Sequence, residues 1–170
     1  MTTEKNEVLN YLMNKSELIK QKDKDELDVL NTKLLNLTNQ KDVPYITYWI
    51  CRNIINGPCE ELEDLILQSA EWSYYYSFHV LKTRWNRAED IIFSNLLIGC
   101  FYIKDVVKER VIEFEKLLLK GPLYYALHYI LDCNVVTERW LEFENNVNVN
   151  DLDYNDTLWN DYKKHFNIIE

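Results

Sequence analysis

The stretch Glu71–Phe93, EWSYYYSFHVLKTRWNRAEDIIF, carries a pattern that returns at a fixed distance on both sides of it. Moving 26 residues back from Tyr74-Tyr75-Tyr76 reaches Tyr48-Trp49-Ile50, and moving 26 forward reaches Cys100-Phe101-Tyr102. A further step of 24 reaches Tyr124-Tyr125-Ala126. The aliphatic pairs Ile54-Ile55, Val80-Leu81, Val106-Val107 and Ile130-Leu131 follow the same spacing. Downstream, Leu62, Ala88, Phe114 and Trp140 lie 26 apart, as do Leu65, Ile91, Leu117 and Phe143. Self-similarity at such a period is the mark of a helical array or solenoid. Each copy reads as two short helices. Tyr76 and Val80 share a face at i, i+4, and Ala88, Ile91 and Ile92 follow the i, i+3, i+4 helical period. No sustained alternation argues for strands. Helices this short are marginal alone and need packing partners.

The sequence Tyr74-Tyr75-Tyr76, Val80-Leu81-Lys82, Arg84-Trp85, Ala88-Glu89, Ile91-Ile92 resembles short tandem two-helix repeats of tailed-phage and bacterial proteins. Those repeats run aromatic-rich helix, Val-Ile-Lys-Gly-Arg-Trp, Pro-Glu-Ala-Glu, then Ile-Ile. Here Thr83, Asn86 and Arg87 stand where the pattern has Gly, Pro and Glu, while Gly57 and Lys108 are retained in the neighbouring copies. The resemblance covers roughly residues 44–144. It implies the fold far more than an activity.

The expected fold is all-α: a single domain of residues 1–170 built as a HEAT-like array or short solenoid. Residues 1–43 form an N-terminal helical cap, 44–144 carry four two-helix copies, and 145–170 hold an acidic loop and a C-terminal cap helix. Terminal units of an array present a polar outer face, which suits both caps. In the N-terminal pair, Val8, Leu9, Leu12, Leu18 and Ile19 mark one helix and Leu27, Leu30, Leu34, Leu35 and Leu37 the next. A coiled-coil hairpin that dimerises is the other reading of this pair. Pro44 opens the first copy, and Gly57-Pro58 and Gly121-Pro122 punctuate helix ends. Leu158, Trp159, Tyr162 and Phe166 line one face of the last helix, with Asp156 or Thr157 as its N-cap.

The composition is that of a folded chain, with 47% hydrophobic and 14% aromatic residues. The net charge of −9 disfavours the basic footprint of a nucleic-acid binder. Residues 141–170 hold 2 basic and 7 acidic groups, so 5 of the 9 excess negative charges fall there. Cys51, Cys59, Cys100 and Cys133 form no C-x-x-C pair, and Cys51 and Cys100 read as small buried hydrophobes. The polar start shows no signal peptide, and the apolar region Ile91–Ile103 is too short to span a bilayer. The expected setting is cytoplasmic, in the host cell if the protein is viral.

Catalytic and metal motifs are lacking. His79, His128 and His165 have no second ligand at metal-binding spacing. His79 aligns with Asn53, Asp105 and Tyr129, which predicts a surface position. The acidic run 145–156 lacks the glycine and final glutamate of a calcium loop. The paired carboxylates Glu63-Asp64, Glu89-Asp90 and Glu113/Glu115 read as solvated helix faces. No cofactor, metal or catalytic residue is expected.

The aromatic residues are the distinctive feature. Tyr76, Tyr102 and Phe114 fall on inward positions, whereas Tyr48, Trp49, Tyr74, Tyr75, Trp85, Tyr124 and Tyr125 cannot all point inward. They are expected either to fill grooves between copies or to form an outward row that binds a partner, as Tyr and Trp do at interface hot spots. The leading functional expectation is a non-enzymatic interaction module, a phage or mobile-element accessory that binds and modulates a host protein. Two other readings stand beside it. One is an acidic nucleic-acid mimic that blocks a nuclease or other defence protein, using Glu142, Glu144, Asp151, Asp153 and Asp156. The other is an enzyme of unrecognised type. The expected partner is a protein, with no direct nucleic-acid or membrane binding and a homo-oligomer left open.

Overall fold

A computed structural model describes residues 3–147 and 156–168. Among these residues the protein is all-α, with eleven α-helices joined by short 3-10 and π turns and no strand. The chain divides into two compact units, Met1–Ile91 and Ile92–Glu170.

In the first unit α1 (Thr3–Lys20) packs on α2 (Lys24–Leu35), burying Val8, Leu12 and Ile19 and Leu27, Leu30 and Leu34. Asp23 caps α2 by accepting the Glu26 N–H, which satisfies a donor that the first helical turn leaves unpaired. Glu26 in turn accepts from the Tyr11 hydroxyl at 2.5 Å and from Lys15 at 2.6 Å, tying the two helices together. Helix α2 packs on α3 (Val43–Ile50), which is entered through Pro44, and on α4 (Glu60–Ile66). Next comes α5 (Ala70–Tyr76), capped by Ser69, and a 3-10 turn at Asn86–Ala88 leads into α6 (Glu89–Phe93), whose Ile92 and Phe93 already belong to the second unit.

The second unit holds α7 (Leu96–Tyr102), α8 (Ile112–Leu118), α9 (Leu123–Cys133), α10 (Leu141–Asn146) and α11 (Asp156–His165). Helix α9 is its centre, packed by α7, α8 and α11. Phe114 is fully buried between the rings of Phe93 and Tyr129, at centroid distances of 4.8 and 5.9 Å. Tyr162 of α11 is fully buried beside Phe143, as the apolar face of that helix predicts.

One turn recurs. Asn56, Lys82, Lys108 and Asn134 all adopt left-handed backbone, and successive positions differ by 26. The first three each follow a π turn, at Cys51–Ile55, Ser77–Leu81 and Ile103–Val107. The N–H of the left-handed residue reaches the carbonyl five residues back, at 2.7 Å for both Lys82 and Lys108. Asparagine tolerates this geometry, whereas a lysine there is strained by about 1–2 kcal/mol. The left-handed residue precedes Thr83, the position at which the resemblance expects glycine, and Gly57 itself has no positive φ.

Helix α9 has no π turn and so one residue fewer before its left-handed end. Tyr76 and Tyr102 stand six residues before Lys82 and Lys108, while Tyr129 stands five before Asn134. All three tyrosines are fully buried. The expected 24-residue step after Tyr102 is therefore corrected: it set buried Tyr129 beside His79, whereas Tyr129 stands before its left-handed residue much as the buried Tyr76 and Tyr102 stand before theirs. The register also shifts after Asn134. Pro58, Arg84 and Arg110 lie two residues beyond their left-handed residues, but Arg139 lies five beyond Asn134. Phe143, not Trp140, is thus the local counterpart of Phe114.

The carboxylates read as solvated faces include buried ones, a second correction. Glu63 and Glu115 are buried, and each accepts a hydrogen bond from a buried tyrosine, Tyr76 at 3.1 Å and Tyr129 at 2.8 Å. Those hydroxyls accept the backbone N–H four residues before the glutamate, from Cys59 and from Val111. Tyr162, Glu144 and the N–H of Trp140 repeat the arrangement. Arginines five residues upstream close it, Arg84 on Glu89, Arg110 on Glu115 and Arg139 on Glu144. At Glu63 that upstream position is Pro58, and Arg87 comes within 3.6 Å instead. The buried hydroxyls of Tyr76, Tyr129 and Tyr162 thereby meet partners, as the low-dielectric interior requires. Burial still lifts the Glu63 carboxyl above the usual carboxylate range.

Candidate functional site

In the first unit, α3 and α5 lie against each other and carry aromatic residues at matching helical spacings. Tyr45, Tyr48 and Arg52 stand at i, i+3 and i+7, as do Trp72, Tyr75 and His79. That spacing keeps each trio on one side of its helix. The rings form a continuous chain. Trp72 lies 4.8 Å from Tyr45, 5.4 Å from Tyr48 and 5.4 Å from Tyr75, and Tyr75 stacks on His79 at 5.9 Å. Tyr74 and Phe78 continue it beyond Tyr75, with Tyr74 5.0 Å from Tyr75 and stacked on Phe78 at 6.0 Å.

At the other end, Tyr45 and Trp49 border an apolar groove of about 330 Å³ between α1 and α3, floored by Val8, Leu9, Leu12 and Ile46. Tyr45 is 46% and Trp49 40% exposed, so large apolar surface lies open beside the ring chain. Open apolar surface rimmed by polar groups marks interaction sites.

The structure sorts the seven aromatics read from the sequence. Trp49 is exposed and Tyr75 half-buried, and both belong to this face. Tyr48 and Tyr74 are buried beneath it, and Trp85 is buried 5.0 Å from the Tyr76 ring. These three cannot form part of an outward row; their bulk fills the interior of the unit. Tyr124 and Tyr125 sit on α9 of the second unit, 5.5 Å apart, and Tyr124 borders a smaller pocket with Leu97, Phe101 and His128. Tyr45, Trp72, Phe78 and His79 were missed by reading adjacent letters. The i, i+3, i+7 spacing was the signal that could have found Tyr45, Trp72 and His79.

Of the acidic set, Glu142 is exposed and Glu144 is bound by Arg139 and the Tyr162 hydroxyl, so its carboxyl is held below the usual range. Asp156 begins α11, and Asp151 and Asp153 lie outside the described residues, as does most of the run 145–156. Among the described residues, no group of three or more His, Cys, Asp or Glu is placed to hold a metal ion. Nor is any described helix long and apolar enough to cross a membrane. The four cysteines are buried thiols, and burial pushes Cys59 up to about 12.

His79 is half-buried in the ring chain, and burial, then the Arg52 charge, hold its pKa below the ordinary 6.5. Between the folded and unfolded values the unfolded chain binds more protons, so stability falls as pH drops through that window and is fully kept above about 6.5. Ring NMR titration of His79 is expected to show this lowered midpoint. Arg52→Ala is expected to move it upward, and an unmoved midpoint would contradict the assigned neighbourhood.

Comparison of the chain with protein-family models, with curated proteins and with solved structures gives no match.

Proposed function

We propose that the protein is a non-enzymatic interaction module that binds another protein through the α3/α5 aromatic face and the groove beside it. The observation that carries this reading is the unbroken ring chain from Tyr45 through Trp72 and Tyr75 to His79, opening at Trp49 onto apolar surface. Aromatic anchors of this kind dominate interface energetics because they bury large area at little conformational cost. The scaffold is proposed to be a short helical repeat array, capped by α1 and α2 at one end and α11 at the other. Its support is the left-handed helix end that returns every 26 residues and the buried Arg–Glu–Tyr junctions. Following the resemblance, the partner is proposed to be a host protein and this chain a phage or mobile-element accessory that modulates it.

The test is quantitative capture from host lysate with wild-type, Tyr45→Ala and Trp49→Ala baits. Both residues are exposed, at 46% and 40%, so the fold is expected to survive the loss of their side chains. A hot-spot truncation removes 2 kcal/mol or more, which is about a 30-fold loss of affinity for the same partner. A partner held equally by all three baits would sink the reading.

A further inference from the structure

At one end of the aromatic face lies a pocket of about 220 Å³ whose lining includes Arg52, Asn53, Asn56, His79 and Lys82, and no carboxylate. In a chain of net charge −9, a lining whose charged groups are basic, Arg52 and Lys82 beside His79, is a local reversal. The pocket has room for roughly seven waters' worth of ligand.

Arg52 is set apart from the other arginines. The chain has five, and the remaining four all pair with carboxylates: Arg84 with Glu89, Arg87 with Glu63 and Asp64, Arg110 with Glu115, and Arg139 with Glu144. Arg52 donates instead to the Tyr48 hydroxyl at 2.6 Å, and its guanidinium carbon lies 5.9 Å from that ring's centroid. His79 is fixed from the other side by stacking on Tyr75, with its ring 6.3 Å from Tyr48. Arg52, held by Tyr48, and His79, stacked on Tyr75, thus line one pocket.

From this geometry we infer that Arg52, His79 and Lys82 form a binding site for an oxyanion, a phosphate or carboxylate group. The Arg52 fork supplies charge-assisted donors, Lys82 a point charge, and the Asn56 amide a further polar contact at the rim. The Asn53 amide already donates to the Trp49 carbonyl at 2.8 Å, leaving its other hydrogen for a ligand. Complementing the carbonyl ends of two helices accounts for a lysine or arginine at each end. It does not account for a half-buried His79 lining the same pocket as Arg52, where burial first and then the Arg52 charge disfavour its protonated form. A bound oxyanion offsets the Arg52 charge and favours proton uptake by His79. The inference stands apart from the partner-binding reading, because its test needs no partner.

The test is titration of the full chain with inorganic phosphate at constant ionic strength, replacing chloride and following the His79 ring signals by NMR. A parallel arm uses N-acetyl-glutamate amide as the carboxylate of a peptide. A saturable shift is expected in at least one arm, and the arm that saturates at lower concentration identifies the source of the group. Arg52→Ala is expected to weaken binding about tenfold, the effect of one charge-assisted hydrogen bond. Since Arg52→Ala also removes the Tyr48 contact, Lys82→Gly serves as the second variant. It deletes a cation at a left-handed position where glycine is unstrained, so it keeps the fold and is expected to weaken binding as well. Shifts that stay linear in both arms, or that saturate in both variants as they do in the wild-type chain, would overturn the assignment.

Discussion

Replacing Glu115 with alanine is expected to lower stability by about 3 kcal/mol. The Glu115 carboxylate is buried on α8, accepts the Tyr129 hydroxyl at 2.8 Å and binds Arg110 through both oxygens, at 2.8 and 2.7 Å. Removing it leaves the Tyr129 hydroxyl in the interior without the acceptor it donates to. The Arg110 side chain is 39% exposed and recovers water, which keeps the cost at the low end of that for a broken buried pair. Glu115→Gln keeps an acceptor for Tyr129 and is expected to cost about 1 kcal/mol, as is Tyr129→Phe. Urea unfolding of the three variants checks the order. Equal losses for alanine and glutamine would mean that the junction contributes volume rather than hydrogen bonds.

The second large effect concerns α7 and α8. Phe114→Ala is expected to cost about 3–5 kcal/mol, since the ring is fully buried against Phe93 and Tyr129. Its neighbour Gly99 gives the sharper test. Helix propensity alone predicts that Gly99→Ala gains about 1 kcal/mol within α7. A Cβ there would meet Cζ of Phe114 at 2.6 Å, and that ring is boxed in on its other sides. Overpacking of this kind costs about 1–3 kcal/mol, so the net sign is expected to be destabilising. In a Phe114→Leu background the obstruction is relieved and the same Gly99→Ala change is expected to become neutral or favourable. A stabilising Gly99→Ala in the wild-type chain would show that the ring moves aside freely.

How much of this was legible in the sequence depends on which residues carry each feature. The helical class and the 26-residue step were visible because Ile54-Ile55, Val80-Leu81 and Val106-Val107 are apolar pairs in mostly polar surroundings. The stretch read as a fourth copy misled because α9 lacks the π-turn residue while extra residues come after Asn134. Runs such as Tyr129-Ile130-Leu131 offer no polar letter to betray a slip of one or two positions. Glu63 and Glu115 were illegible for another reason. Each has an acidic residue within two positions, Asp64 and Glu113, that is exposed, and only the tertiary partners Tyr76 and Tyr129 distinguish them. The aromatic face was half legible. Tyr-Tyr-Tyr draws attention to adjacent letters, whereas a helix places Tyr75 with Trp72 and His79 and turns Tyr76 inward.

The claim that the α3/α5 face is the binding surface is tested most directly by site-specific photo-crosslinking in host lysate. A photoreactive side chain replaces Trp49 in one bait and exposed Glu113 of α8 in another. The account predicts one partner protein joined covalently from position 49, retained through high-salt washing and absent from position 113. A partner joined from position 113 but not from 49, or one that leaves in high salt and is displaced by DNA, would contradict it.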